Sequence, residues 1–240
     1  MLDLGQRTRT RLTFDTAASW PVWTPDGRRI AYRRGSGIYW VPADGSGTPD
    51  SLITAPGLWF PAVFEPGGRA LAYHGIPSQQ SKAEIWRLGL AAGETPHQVL
   101  ASAFHNFTPS LSPDGRWMAY VSDESGRFEV FVRPYPGPGG RWQVSLNGGT
   151  EPVWSPTGRE IFYRDGDRMM SATVRTLGGF EVGAQVQLFE GAYDQVPRQI
   201  TNYDVTRDGR TFVMLQQVQG TAQSVFVTLN WFAQLRSQRR

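Results

Sequence analysis

The chain has 240 residues, of which 40% are apolar and 19% charged, a balance that supports a buried core and excludes a disordered polyampholyte. Its 24 basic residues, all arginine except Lys82, are interspersed with 21 acidic ones, so the net charge of +3 gathers into no patch and excludes a nucleic-acid footprint. With no cysteine there are no disulfides, thiolate metal sites or cysteine nucleophiles, and neither a leader-like apolar core at Met1 to Thr10 nor a membrane-length apolar window is present.

In chain order, Leu2-Asp3-Leu4 reads as the tail of a third strand, as in a chain that starts inside a repeat of a longer protein. Thr8 to Phe14 (TRTRLTF) reads as a strand with no repeat before it. A phrase then recurs five times: PVWTPDGRRIAY from Pro21, AVFEPGGRALAY from Ala62, PSLSPDGRWMAY from Pro109, PVWSPTGREIFY from Pro152 and YDVTRDGRTFVM from Tyr203. The anchors Pro25, Pro66, Pro113, Pro156 and Arg207 lie 41, 47, 43 and 51 residues apart. All-strand content at that period fits one four-stranded β-propeller blade per repeat.

Within a unit, Pro25-Asp26-Gly27 supplies a turn with its φ set by proline and its left-handed position taken by glycine. Ile30 to Tyr32, Ile38 to Val41 and Ser51 to Thr54 are the strands that follow. The same order predicts Glu84 to Leu88 and Gln98 to Leu100, Phe128 to Arg133 and Arg141 to Ser145, and Met169 to Val174 and Val186 to Phe189. The fifth copy, with Thr211 to Leu215 and Ser224 to Leu229, lacks a fourth strand, which Thr8 to Phe14 is predicted to supply by pairing with Ser224 to Leu229. Five four-stranded blades closed by the N-terminal strand would occupy 1–231, and 232–240 would be a helical turn and a basic tail.

The phrase W-(S/T)-P-D-G-(R/K)-x-I-A-Y, with Glu129 to Val132 and a trailing strand after it, resembles the TolB-type, WD-repeat-like propeller family. That repeat is found in TolB, in the propellers of prolyl oligopeptidases and dipeptidyl peptidases, and in the C-terminal regions of some bacterial serine/threonine kinases. Val121 to Val130 is similar to a common version of its hairpin, and Thr228 to Phe232 resembles the end of the kinase-linked propellers. The resemblance implies a compact five-bladed ring or, since such rings most often have six blades, a fragment of a six-bladed one.

The motifs of chemistry are weak beside the repeat. No G-x-S-x-G elbow occurs, and Gly35-Ser36-Gly37 and Gly45-Ser46-Gly47 sit at expected turns. His74, His97 and His105 lack metal-ligand spacing, Asp165-Gly166-Asp167 has Met169 where a calcium loop needs oxygen, and no cofactor motif is present, so neither a metal nor a cofactor is expected. Asp123, Glu124, Glu151, Asp194 and Asp204 are the acids expected near loop tips or inner strands, where salt bridges are the plain account of them.

Residues that deviate from the repeat are free to serve function. Loops entering the first strand of each unit and joining its second and third strands collect Trp20, Trp59, Phe60, His74, His105, Asn106, Phe107, Asp123, Arg127, Glu151, Arg164, Arg198, Asn202 and Tyr203, expected on one rim at the channel mouth. Exposed aromatics with arginine and asparagine suit a partner surface. With these residues, the resemblance implies a non-catalytic scaffold binding a protein or peptide, the sensory or interaction part of a larger bacterial protein. The rivals are a propeller-class hydrolase or lyase acting on a saccharide or peptide, and a sugar-binding sensor with Trp20 and Trp59 as stacking platforms. Compartment and oligomeric state are open: extracytoplasmic if the chain belongs to a membrane-anchored protein, cytoplasmic otherwise.

Overall fold

The computed structural model describes residues 2–3, 8–14, 17–194, 200–216 and 224–228, and every regular element among them is a strand. The strands are runs rich in Val, Ile, Tyr, Phe and Trp cut by glycine-bearing turns. The chain divides into two compact units, Met1–Pro109 and Ser110–Arg240. No helix of the described residues is long and apolar enough to cross a membrane.

In the first unit β1 (Leu2–Asp3) pairs with β2 (Thr8–Arg9). The first repeat makes a sheet of β3 (Ala18–Trp23), β4 (Arg29–Arg34), β5 (Gly37–Pro42) and β6 (Asp50–Ile53). The second makes β7 (Leu58–Phe64), β8 (Ala70–Ile76), β9 (Glu84–Gly89) and β10 (His97–Leu100). Both sheets follow chain order with antiparallel neighbours. Their core gathers Ala31, Ile38, Ile53, Trp59, Phe64, Leu71, Tyr73 and Leu88, so apolar faces of both sheets share one interior.

β11 (Asn106–Leu111), within which the unit boundary falls, opens the third sheet with β12 (Trp117–Ser122), β13 (Glu129–Pro134) and β14 (Trp142–Gln143). The fourth comprises β15 (Thr150–Trp154), β16 (Glu160–Asp165), β17 (Arg168–Arg175) and β18 (Glu181–Glu190). The fifth has three strands among the described residues, β19 (Tyr203–Val205), β20 (Phe212–Gln216) and β21 (Ser224–Thr228). Two buried clusters fill the second unit, one around Ala119, Val130, Trp154, Ile161 and Tyr163 and one around Phe162, Met169, Tyr203, Phe212 and Met214. Burial pushes the in-phase hydroxyls of Tyr120 and Tyr163 up to about 12.

The N-terminal strand departs from expectation. Among the described residues it spans only Thr8–Arg9 and pairs with Leu2–Asp3, and the sheet holding Ser224–Thr228 does not include it. Closing a short loop costs far less chain entropy than recruiting a strand some 200 residues away, so the local hairpin competes well. The expected helical turn and tail at 232–240 lie outside the described residues.

The repeated turn explains its own sequence. Gly27, Gly68, Gly115, Gly158 and Gly209 all have φ between 68° and 71°, where a side chain would be strained. Asp26 Oδ1 accepts from Thr24 Oγ1 at 2.6 Å and from the Arg28 N–H at 2.9 Å, and Asp114 and Asp208 repeat the arrangement. This side-chain clamp fixes the hairpin between the first two strands of a sheet.

Candidate functional site

Just before that hairpin the first strand is bulged. Ser19 pairs with Arg33 but Val22 with Ala31, and Thr150 pairs with Arg164 but Val153 with Phe162, so each strand carries one extra residue. The left-handed residue of each bulge lies five positions before the anchor: Trp20 at φ 54° and Glu151 at φ 57°, with Thr108 at φ 46° in the third repeat. In the second repeat the position is Pro61, whose ring forbids that conformation. A non-glycine residue there costs about 1–3 kcal/mol, and a bulge redirects the side chain it carries. In three of the five repeats this position is strained and its side chain re-aimed, and it is filled differently in every copy.

In the first unit that position holds Trp20. The ring centroids of Trp20 and Phe60 lie 4.4 Å apart at 47°, and the Arg33 guanidinium carbon stands 4.6 Å from the Trp20 centroid and 4.7 Å from the Phe60 centroid. Arg33 Nε is buried with no hydrogen-bond partner, and burial draws the guanidinium below its ordinary pKa. Trp20 and Arg33 are half-buried, whereas Phe60 is buried. A ladder of rings continues inward: Phe60 stacks on His74 at 5.1 Å, His74 meets Phe107 edge-on at 5.9 Å, and Phe107 stacks on His105 at 5.4 Å. His105 Nδ1 accepts from the Ala83 N–H at 3.1 Å, which anchors the ladder's end.

In the second unit the same position holds Glu151, buried beside Arg164, Asn202 and Tyr203. Glu151 Oε2 accepts from the Asn202 N–H at 2.7 Å, and the Tyr203 hydroxyl donates to the Glu151 carbonyl at 2.9 Å. Desolvation raises the Glu151 pKa, opposed by the Asn202 hydrogen bond and the Arg164 charge. Arg164 Nε and Nη2 donate to the Gly166 carbonyl at 3.2 and 3.0 Å. Asn202 Nδ2 reaches the Asp194 carbonyl at 3.3 Å, so these groups form a polar network inside the unit.

The predicted rim residues therefore part company. Trp59, Phe60, Phe107 and Tyr203 are buried rather than exposed. Trp59 meets Tyr73 and Trp86 edge-on and donates its indole N–H to the Ala55 and Pro56 carbonyls at 2.9 and 3.1 Å, so it offers no open face for a sugar. Asn106 ties its loop to Ser102 Oγ and the Phe104 carbonyl at 3.0 and 3.1 Å. Arg127 is exposed and pairs at 2.6 Å with Glu129, which is itself fully buried. Asp123 is half-buried at a turn, and Arg198 lies outside the described residues. Of the other acids, Glu124 pairs with Arg141 at 2.6 Å and Asp165 with Arg168. Among the described residues no group of three histidines or carboxylates could hold a metal ion.

The sequence reading missed Arg33, although Arg33 and Arg164 hold the same place, eight residues after their anchors. Laying the repeats side by side at that offset finds it.

No protein-family model matches the chain. A curated relative, an uncharacterised protein of Agrobacterium fabrum, is 27% identical over 168 residues, which are 63% of this chain and 56% of that protein, so the chain spans little more than half its length. Solved structures share the fold. A putative TolB from Agrobacterium tumefaciens superposes with a TM-score of 0.64 at 19% identity, over 88% of this chain and 75% of that one. TolB from Acinetobacter baumannii gives 0.60 at 18%, over 89% and 50%. An oligogalacturonate lyase in complex with manganese gives 0.67 at 13%, over 95% and 81%. The chain has the TolB-like β-propeller fold.

Proposed function

We propose that the chain is a non-catalytic propeller scaffold that binds a protein or peptide, serving as the interaction part of a larger bacterial protein. The observation that carries this reading is Trp20. A bulky side chain is kept at a left-handed backbone position, where glycine would be free of strain, and is set beside Phe60 and Arg33. Tryptophan and arginine are the residues that dominate binding energy at protein interfaces, because they pair a large apolar area with directed polar groups. The TolB-like fold supports the reading by analogy of scaffold only.

Selection of phage-displayed peptides on the immobilised chain tests it. Enriched peptides should bind the wild type and lose at least tenfold in affinity to Trp20→Gly, which deletes the ring while relaxing the backbone. No enriched peptide, or equal binding by the variant, would overturn the reading. So would turnover of oligogalacturonate, the reaction that Glu151 beside Arg164 and the lyase-like fold would favour instead.

A further inference from the structure

We infer that the Arg33 guanidinium, held against the Trp20 and Phe60 rings, is a receptor for a carboxylate group, presented by an acidic side chain or C-terminus of the bound peptide. The inference rests on the peptide-binding reading and names the chemistry of its central contact.

The guanidinium carries the argument. Arg33 sits in the angle between two rings, the three groups marking a nearly equilateral triangle with sides of 4.4, 4.6 and 4.7 Å. Ring faces attract a cation through their quadrupoles but accept no strong hydrogen bond, so they orient the group without satisfying its donors. Arg87 is answered by Glu65 at 2.6 Å and Arg127 by Glu129 at 2.6 Å, while Arg164 gives Nε and Nη2 to the Gly166 carbonyl and, like Arg133 at Nε, keeps one buried nitrogen unpartnered. Arg33 has no ion pair among the described residues, and its Nε is buried and unpartnered. A desolvated donor left unanswered is costly, and a planar fork of N–H groups fits one ligand geometry best, the two oxygens of a carboxylate.

The backbone gives an independent reason. Arg33 and Ser19 are cross-strand partners, and the bulge that begins after Ser19 turns the Trp20 ring onto the guanidinium. In the fourth repeat the equivalent bulge places Glu151 where its carboxylate and Arg164 attract each other. With Trp20 in place of that acid, the first repeat keeps the arginine and removes its internal counter-charge. The missing carboxylate is then supplied from outside.

The test uses the full chain, isothermal titration and two probes: a capped peptide carrying four glutamates and trigalacturonate. A glutamine version of the peptide is the control. The glutamate peptide should bind, the glutamine peptide should bind at least tenfold more weakly, and Arg33→Gln and Arg33→Lys should each lose at least tenfold. Lysine keeps the charge but neither forks nor lies flat on the rings. Both variants should keep a single cooperative melting transition, lowered by no more than the two lost ring contacts, about 1–2 kcal/mol, since Arg33 has no internal acceptor to lose; this separates a lost site from a damaged fold. Trigalacturonate bound through Arg33 while no peptide binds would uphold the carboxylate receptor and overturn the peptide reading. Selected peptides that bind with no dependence on Arg33 would overturn the receptor and leave the peptide reading standing. If neither carboxylate probe binds, the inference fails.

Discussion

The Asn202 backbone N–H donates to Glu151 Oε2 at 2.7 Å, and the two residues hold the same position in consecutive repeats, five before Pro156 and Arg207. One repeat thus supplies the acceptor that the next requires. Replacing Glu151 with alanine leaves that buried N–H unanswered and should cost about 1–3 kcal/mol, read as a lower denaturation midpoint at constant slope.

Glu151→Gln keeps the acceptor and removes the ionisation. Because burial raises the folded-state pKa, the folded chain holds the Glu151 proton more tightly than the unfolded chain does. Wild-type stability from this group is therefore fullest below the ordinary carboxylate value and falls as pH rises through the folded value. Glutamine should flatten that segment of the stability curve and melt at or above the wild type at pH 8. An unchanged pH profile in the variant would contradict this origin of the shift.

Tyr203→Phe removes the hydrogen bond from a buried hydroxyl to the Glu151 carbonyl at 2.9 Å. The expected loss is about 1–2 kcal/mol, or roughly 2–8 °C in Tm for a chain of this size. No change in Tm would mean that the network is not structural.

Trp20→Gly should be more stable than Trp20→Ala. Both delete the ring, but only glycine relaxes a φ of 54°, a difference of about 1 kcal/mol. If alanine melts as high as glycine, the position is not strained.

The fourth repeat has Thr157 where Asp26, Asp114 and Asp208 clamp their turns, and Thr157 Oγ1 lies 3.0 Å from Ser155 Oγ. Thr157→Asp should raise Tm by about 1–3 °C near neutral pH. Hydrogen bonds to the ionised form hold such carboxylates below their ordinary value, as Thr24 does for Asp26. The gain should therefore be present above the ordinary carboxylate value and vanish as pH falls through the lowered one.

Most strands were legible because proline, aspartate and glycine punctuate each unit at fixed offsets. Glu84 to Leu88 became Glu84–Gly89, and Met169 to Val174 became Arg168–Arg175. Val186 to Phe189 was underestimated, since the strand runs Glu181–Glu190 through Gly183 and Ala184, residues of low strand propensity that pairing with β17 overrides. The rim was read less well. Repeat phase places a residue in a loop or strand but not inside or outside, and Trp59 and Phe60 turned inward because aromatic partners and main-chain carbonyls receive them. The left-handed position of Trp20 leaves no mark on composition, and Arg33 is hidden in a strand that otherwise repeats faithfully.

Docking of a peptide carboxylate on Arg33 beside Trp20 is best read by hydrogen exchange of the full chain with and without the glutamate peptide. Exchange should slow only in Ala18–Trp23, Arg29–Arg34 and Leu58–Phe64, with no such slowing in Arg33→Gln. Protection elsewhere in the wild type, or the same protection in the variant, would contradict it.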